Sequence, residues 1–139
     1  MFSDSGEERE DERLNECLVK FENMLSNDDQ YYFDVSDLEE LIDHYLERMH
    51  LEKAWKVLEL ASQQHPHSSE FELKRAEILS LKGDFEQAML SIKLLESIMP
   101  NSHELLMTKA GILSEKGDHL QSIAIYDQAI STAEIKSEV

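Results

Sequence analysis

The chain copies itself at a fixed step. Arg75-Ala76-Glu77-Ile78-Leu79-Ser80-Leu81-Lys82-Gly83-Asp84 returns as Lys109-Ala110-Gly111-Ile112-Leu113-Ser114-Glu115-Lys116-Gly117-Asp118, so the step from position 75 to position 109 is 34 residues. The same step carries Pro66 to Pro100, Ser68 to Ser102, Glu70 to Glu104 and Gln87 to Gln121. A period of this length is the signature of a stacked helical array, in which each unit buries its apolar face only against its neighbours. An all-α solenoid is therefore predicted before any local propensity is consulted. Such an array offers surfaces, and a surface does not name its partner.

Local signals agree with the period. Leu14, Leu18, Phe21 and Leu25 fall at helical spacing and predict an amphipathic helix from about Asp11 to Ser26, broken by Asn27-Asp28-Asp29. Tyr31-Tyr32-Phe33 reads as an aromatic connector that packs against the next helix. Three helical hairpins follow, pairing about 36–49 with 52–64, 69–82 with 85–98, and 103–116 with 119–132. Ser36 and Glu39 fit a capping box. Gly83 and Gly117 fall at the hairpin turns, where a left-handed backbone favours glycine. Asp84 and Asp118 start the return helices, and Pro66 and Pro100 end the second helices. The predicted organisation is an acidic, unstructured tail over 1–10, a helix and connector over 11–34, repeats over 35–68, 69–102 and 103–136, and a short tail over 137–139.

Charge narrows the partners. The chain of 139 residues is the size of one domain, and it carries 30 acidic residues against 13 basic ones, a net charge of −17. That balance opposes nucleic acid, whose phosphates need a lysine and arginine patch, and opposes anionic membranes for the same reason. Asp4, Glu7, Glu8, Glu10, Asp11 and Glu12 concentrate charge at the start, which reads as a solvated tail or as a lure for a basic partner. A single cysteine, Cys17, excludes an intramolecular disulfide and suits a reducing compartment. The N-terminus carries no secretory pattern, and no apolar run approaches the roughly 18 residues of a bilayer span. A cytoplasmic location is expected.

Candidates for chemistry are thin. His65-Pro66-His67 lies on a loop without cysteine or carboxylate neighbours in metal-site spacing. Asp43 and His44 are adjacent on a helix and point apart. The glycines Gly6, Gly83, Gly111 and Gly117 are scattered and form no phosphate loop. Cys17 has no evident partner base and reads as a buried helix-face thiol. The methionines read as core fillers, and Trp55, beside the small Ala54, as a packing residue at a helix crossing. No catalysis, cofactor or metal site is expected.

The pattern resembles the tetratricopeptide repeat (TPR) family, in its bacterial form with an N-terminal helix, over about residues 35–132. Small residues recur where helices cross closely: Ala76 and Ala88, Ala110 and Ser122, and Ala54 and Ala61 in the first repeat. Phe85 and His119 hold the aromatic turn position, with Leu51 in the first repeat; Tyr126 and Ala129 fill later slots of the third. The chain departs from the family at Glu72, where a large apolar residue is usual, and at Met49-His50, where the other repeats have Gly-Asp. The third repeat also lacks its terminal proline.

The resemblance implies a right-handed superhelix of three hairpins whose first helices line a concave groove. Its groove positions here are Glu39, Glu40, Asp43 and Glu47, then Leu73, Lys74, Glu77 and Ser80, then Glu104, Met107, Thr108 and Gly111. The best-known TPR ligands are acidic chaperone tails, held by lysine, arginine and asparagine. The matching positions here are Glu39, Asp43, Lys74, Glu104 and Thr108, of which only Lys74 is basic. Carboxylate facing carboxylate rules that clamp out. The implied role is a protein-binding scaffold whose acidic groove takes a basic or amphipathic peptide, unless the carboxylates are only a solvated face. Such arrays usually close with a polar-faced helix, and none follows residue 132. Leu113, Ile123 and Ile130 are therefore expected at an uncovered edge, stacked on further repeats or on a second copy through the C-terminal repeat.

Overall fold

A computed structural model describes the backbone of residues 5–138 and the surroundings of side chains 8–133. Among the described residues the protein is all-helical, with no strand: α1 (Ser5–Asn27), α2 (Val35–Glu47), α3 (Leu51–Gln64), α4 (Ser69–Leu81), α5 (Phe85–Ile98), α6 (His103–Lys116) and α7 (His119–Glu138). The expected tail over 1–10 is thus helical from Ser5, where the early carboxylates sit at the positive end of the helix dipole. The expected tail over 137–139 is helical to Glu138, because no proline or glycine stops α7. Met1–Asp4 and Val139 lie outside the described residues. The chain divides into two compact units, Met1–His67 and Ser68–Val139.

The period is carried by backbone geometry in all three hairpins. Helices α2, α4 and α6 begin at residues 35, 69 and 103, and α3, α5 and α7 at residues 51, 85 and 119; each successive pair is 34 apart. Gly83 and Gly117 take φ of 89° and 100°, and Met49 takes the same left-handed turn at 56°. After each turn residue the next N–H donates five residues back, His50 to Tyr45, Asp84 to Leu79 and Asp118 to Leu113, all at 2.8 Å. The turn residues themselves donate three residues back, to Leu46, Ser80 and Ser114. These paired bonds are a Schellman closure, which satisfies orphan carbonyls at the helix end. The Met49-His50 departure therefore changes the residue and not the turn. His65 and Met99, each followed by a proline, repeat one another at φ/ψ of −134°/69° and −137°/67°, off the helical region as the following ring requires.

Unit 1 buries Ala54, Leu58 and Ala61 at the positions of Ala88, Ile92 and Leu95, and adds side chains that have no counterpart 34 residues on. Phe21 and Cys17 of α1 are buried with Leu38, Leu41, Ile42 and Tyr45 of α2, and the Phe21 and Tyr45 rings lie 6.0 Å apart. The Tyr45 hydroxyl donates to Glu22 Oε1 at 2.9 Å, and Lys53 Nζ reaches the same oxygen at 2.9 Å. The Phe33 N–H donates to Gln64 Oε1 at 2.9 Å and Gln64 Nε2 donates to the Tyr31 carbonyl at 2.7 Å. His65 Nε2 donates to the Phe33 carbonyl at 2.8 Å. The aromatic connector is thus tied to the end of α3 and not only to the helix that follows it. The Ser36–Glu39 capping box does not form: α2 starts one residue earlier, with Asp34 as its cap residue and no side-chain cap bond. Arg13 takes the Asp34 carboxylate at 3.0 Å and Asp37 at 2.7 Å, which fixes α1 against the start of α2.

Unit 2 is held by the repeated apolar set. Leu73, Ala76, Ala88, Ile92, Leu95, Leu105 and Ile112 form one buried cluster, packed by Leu79, Phe85, Met89 and Met99. Two faces of α6 are consumed. Leu105 and Ile112 enter that cluster, while Leu106, Ala110 and Leu113 are buried on the face where the Ser122 hydroxyl of α7 donates to the Ala110 carbonyl at 2.8 Å. Leu113, expected at an open edge, is therefore core, 3% exposed. Asp84 caps α5 by accepting the Gln87 N–H, and Ser102 caps α6 by accepting the Leu105 N–H, both at 3.3 Å.

Candidate functional site

With two faces of α6 buried, its remaining stripe borders a cleft inside unit 2. The cleft holds about 270 Å³ and is lined by Glu77, Ser80 and Leu81 of α4 and by Met107, Thr108, Gly111, Ile112 and Glu115 of α6. Small residues make the space: Gly111 contributes no side chain, and a Cβ there would meet only the Tyr126 hydroxyl, at 3.9 Å. Ser80 is 4% exposed, and its Oγ has no hydrogen-bond partner. At the 34-residue step the same position is Leu46, also buried, and Ser114. Glu77 sits 4.0 Å from Lys74, whose side chain is mostly buried.

Unit 1 has its own cleft on the corresponding helix, α2. It holds about 290 Å³ between Glu10, Asp11 and Leu14 of α1 and Glu40, Asp43, His44, Glu47 and Arg48 of α2 and its end. His44 Nδ1 accepts from Arg48 Nη1 at 3.0 Å. Burial, with Arg48 beside it, holds the imidazole below its ordinary value and keeps it neutral.

The expected groove residues therefore separate into groups. Glu40, Asp43 and Glu47 share the cleft of unit 1; Glu77, Ser80, Met107, Thr108 and Gly111 share that of unit 2. Glu39 and Glu104 line neither cleft. Leu73 is a core residue and not a groove residue, because Ala76 and Ile92 close over its side of α4. Ile123 and Ile130 are 57% and 53% exposed, and Leu120 is more so at 88%. Sequence reasoning missed Glu115, although the period offers it: Glu47, already in the groove set, maps to Leu81 and then to Glu115. It also missed Leu90, Leu94 and Ile98, an exposed apolar stripe at four-residue spacing on α5.

Burial, with Asp37 adding, pushes the Cys17 thiol up and away from nucleophilic use. Tyr45 is likewise pushed up by burial and by its bond to Glu22, while Lys53 holds Glu22 below the usual carboxylate range. His65 is committed to the Phe33 carbonyl. Among the described residues no group of three or more histidine, cysteine or acidic side chains is placed to hold a metal ion. None of their helices is long and apolar enough to cross a membrane. No protein-family model matches the chain, and no curated protein matches it.

Proposed function

We propose that the chain is a TPR-type repeat protein acting as a non-catalytic, cytoplasmic interaction scaffold whose acidic helix faces take a basic or amphipathic peptide segment. One observation carries this reading: corresponding positions of the repeat, Asp43 and Glu47 in one unit and Glu77 and Glu115 in the other, put carboxylates around a cleft in each unit. Complementary charge speeds encounter and penalises acidic competitors. The apolar residues Leu81, Met107 and Ile112 give an amphipathic ligand something to bury. Binding of a basic peptide should weaken steeply with salt. Reversing Glu39, Asp43 and Glu77 to lysine should abolish it in a fluorescence-anisotropy titration; unchanged binding by the reversed protein would refute the acidic-face reading.

A second reading is self-association, supported by the exposed Leu120, Ile123 and Ile130 of α7 and the Leu90–Leu94–Ile98 stripe of α5. Light scattering over a hundredfold range of concentration tests it, and a constant monomer mass would exclude it.

A further inference from the structure

The outer face of α7 is less polar than its repeat partner. At the 34-residue step Leu120, Ile123 and Ile130 stand where α5 has Glu86, Met89 and Glu96. In α5 the last two positions face the helix that follows. Met89 packs against the cluster that holds Leu105 and Ile112 of α6, and Glu96 takes Lys109 Nζ at 2.7 Å. In α7 the same row is open, with all three side chains more than half exposed. A face left to water in a repeat array is ordinarily polar. Here two carboxylates and a thioether give way to three branched aliphatic side chains, and an apolar row of this kind marks an interaction surface.

Register and charge say what covers it. A helix like α6 does not fit, because it brings Lys109 to a position where α7 has Ile130 in place of Glu96. The ammonium would lose its partner and gain an aliphatic neighbour. A second copy fits better. Residues 119–133 carry one charged side chain, Asp127, in a chain that is 31% charged with a net charge of −17. Copies this acidic repel wherever their carboxylates meet, and this face brings only one from each. Two-fold pairing also apposes a patch to itself, so each apolar row supplies the cover for the other.

We propose that the Leu120–Ile123–Ile130 face of α7 docks on the same face of a second copy, giving a symmetric dimer with the isoleucines at its centre. The inference rests on the self-association reading and goes beyond it by choosing α7 over the α5 stripe and a closed pair over an open chain. A two-fold that sets Ile123 of each copy on Ile130 of the other passes beside Asp127, midway between them in sequence. The two carboxylates approach there, so the dimer is opposed by like charge and strengthens with salt. Basic-peptide binding to the acidic faces has the opposite salt dependence.

Sedimentation equilibrium of the full chain, over a wide range of concentration at low and high salt, tests the dimer. The parent should pass from monomer to dimer mass and no further, at lower concentration in high salt. Ile123→Lys and Ile130→Lys should each raise the dimer Kd by at least about tenfold, while Leu94→Lys on α5 leaves it unchanged. Asp127→Asn should lower the Kd several-fold by removing the like charge. Circular dichroism confirms that each variant folds. If the parent associates but neither α7 lysine weakens it, the α7 dimer is refuted, and disruption by Leu94→Lys would show that self-association survives through α5. Mass that keeps growing past the dimer, or weaker association by Asp127→Asn, also refutes the symmetric pairing. A constant monomer mass at both salts overturns the dimer and the self-association reading together.

Discussion

The two units solve the same problem with different means. In unit 2 the sequence repeats and the Schellman turn repeats with it, closed by a glycine both times, around one apolar cluster. In unit 1 the hairpin of α2 and α3 keeps the turn geometry, but its stability leans on unique polar ties, Arg13 to Asp34 and Asp37, Lys53 and Tyr45 to Glu22, and Gln64 to the 31–33 connector. Local backbone rules thus survive a change of residue, as Met49 shows, while tertiary anchoring is improvised where the repeat has no neighbour to copy. The clefts differ in the same way. That of unit 1 has charged walls with His44 and Arg48 among the acids, whereas that of unit 2 is floored by apolar and small residues and carries a hydroxyl without a partner.

The contrast can be broken first at the cores. Phe21→Ala should cost about 3–5 kcal/mol, since the ring is 2% exposed and abuts Tyr45. Trp55 is the only tryptophan and lies in unit 1, so its fluorescence follows that unit while far-ultraviolet circular dichroism follows both. The fluorescence midpoint should move most; equal shifts by both probes would mean that the units unfold as one. Next come the turns. Gly83→Ala should cost about 1–2 kcal/mol, entirely from its left-handed backbone, because open space surrounds its Cβ position. Met49→Gly should return about 1 kcal/mol for the same reason. Urea titrations of both variants check the pair, and a stabilising Gly83→Ala would contradict the shared turn.

Much of this was legible in the chain and some was not. The glycine turns, the proline stops and the helix starts follow from steric rules that act within a few residues, so the period displayed them. Ser36 is not a cap because α2 already starts at Val35, with Asp34 as the cap residue, and Asp34 is held by Arg13, 21 positions away, a contact that no local rule contains. Leu113 read as an edge residue because the face α7 covers depends on which carbonyl Ser122 reaches, here Ala110. The groove carboxylates were readable from the register. The isolation of the Ser80 hydroxyl was not, because it depends on what α6 leaves empty.

Acid should separate the units more gently. His44 is held below its ordinary value near 6.5, so its contribution is present above that pH and is lost as pH falls through 6.5 toward the folded value. Glu22, held down by Lys53, acts in the same direction at lower pH, lost as pH falls from 4.5 through its folded value. Both groups belong to unit 1, and both are partly exposed, so the effect is a fraction of a kcal/mol. The Trp55 midpoint should drop between pH 7 and 5.5, and His44→Gln should flatten that drop. Smaller shifts of this size need replicate denaturant curves.

The most direct measurement is binding of a basic peptide to the parent chain and to the Glu39→Lys/Asp43→Lys/Glu77→Lys variant, read by anisotropy at low and at high salt. Acidic helix faces predict that the parent binds, that its binding weakens steeply with salt, and that the variant loses it. Equal binding by the variant, or binding by the parent that does not respond to salt, would contradict the acidic-face reading.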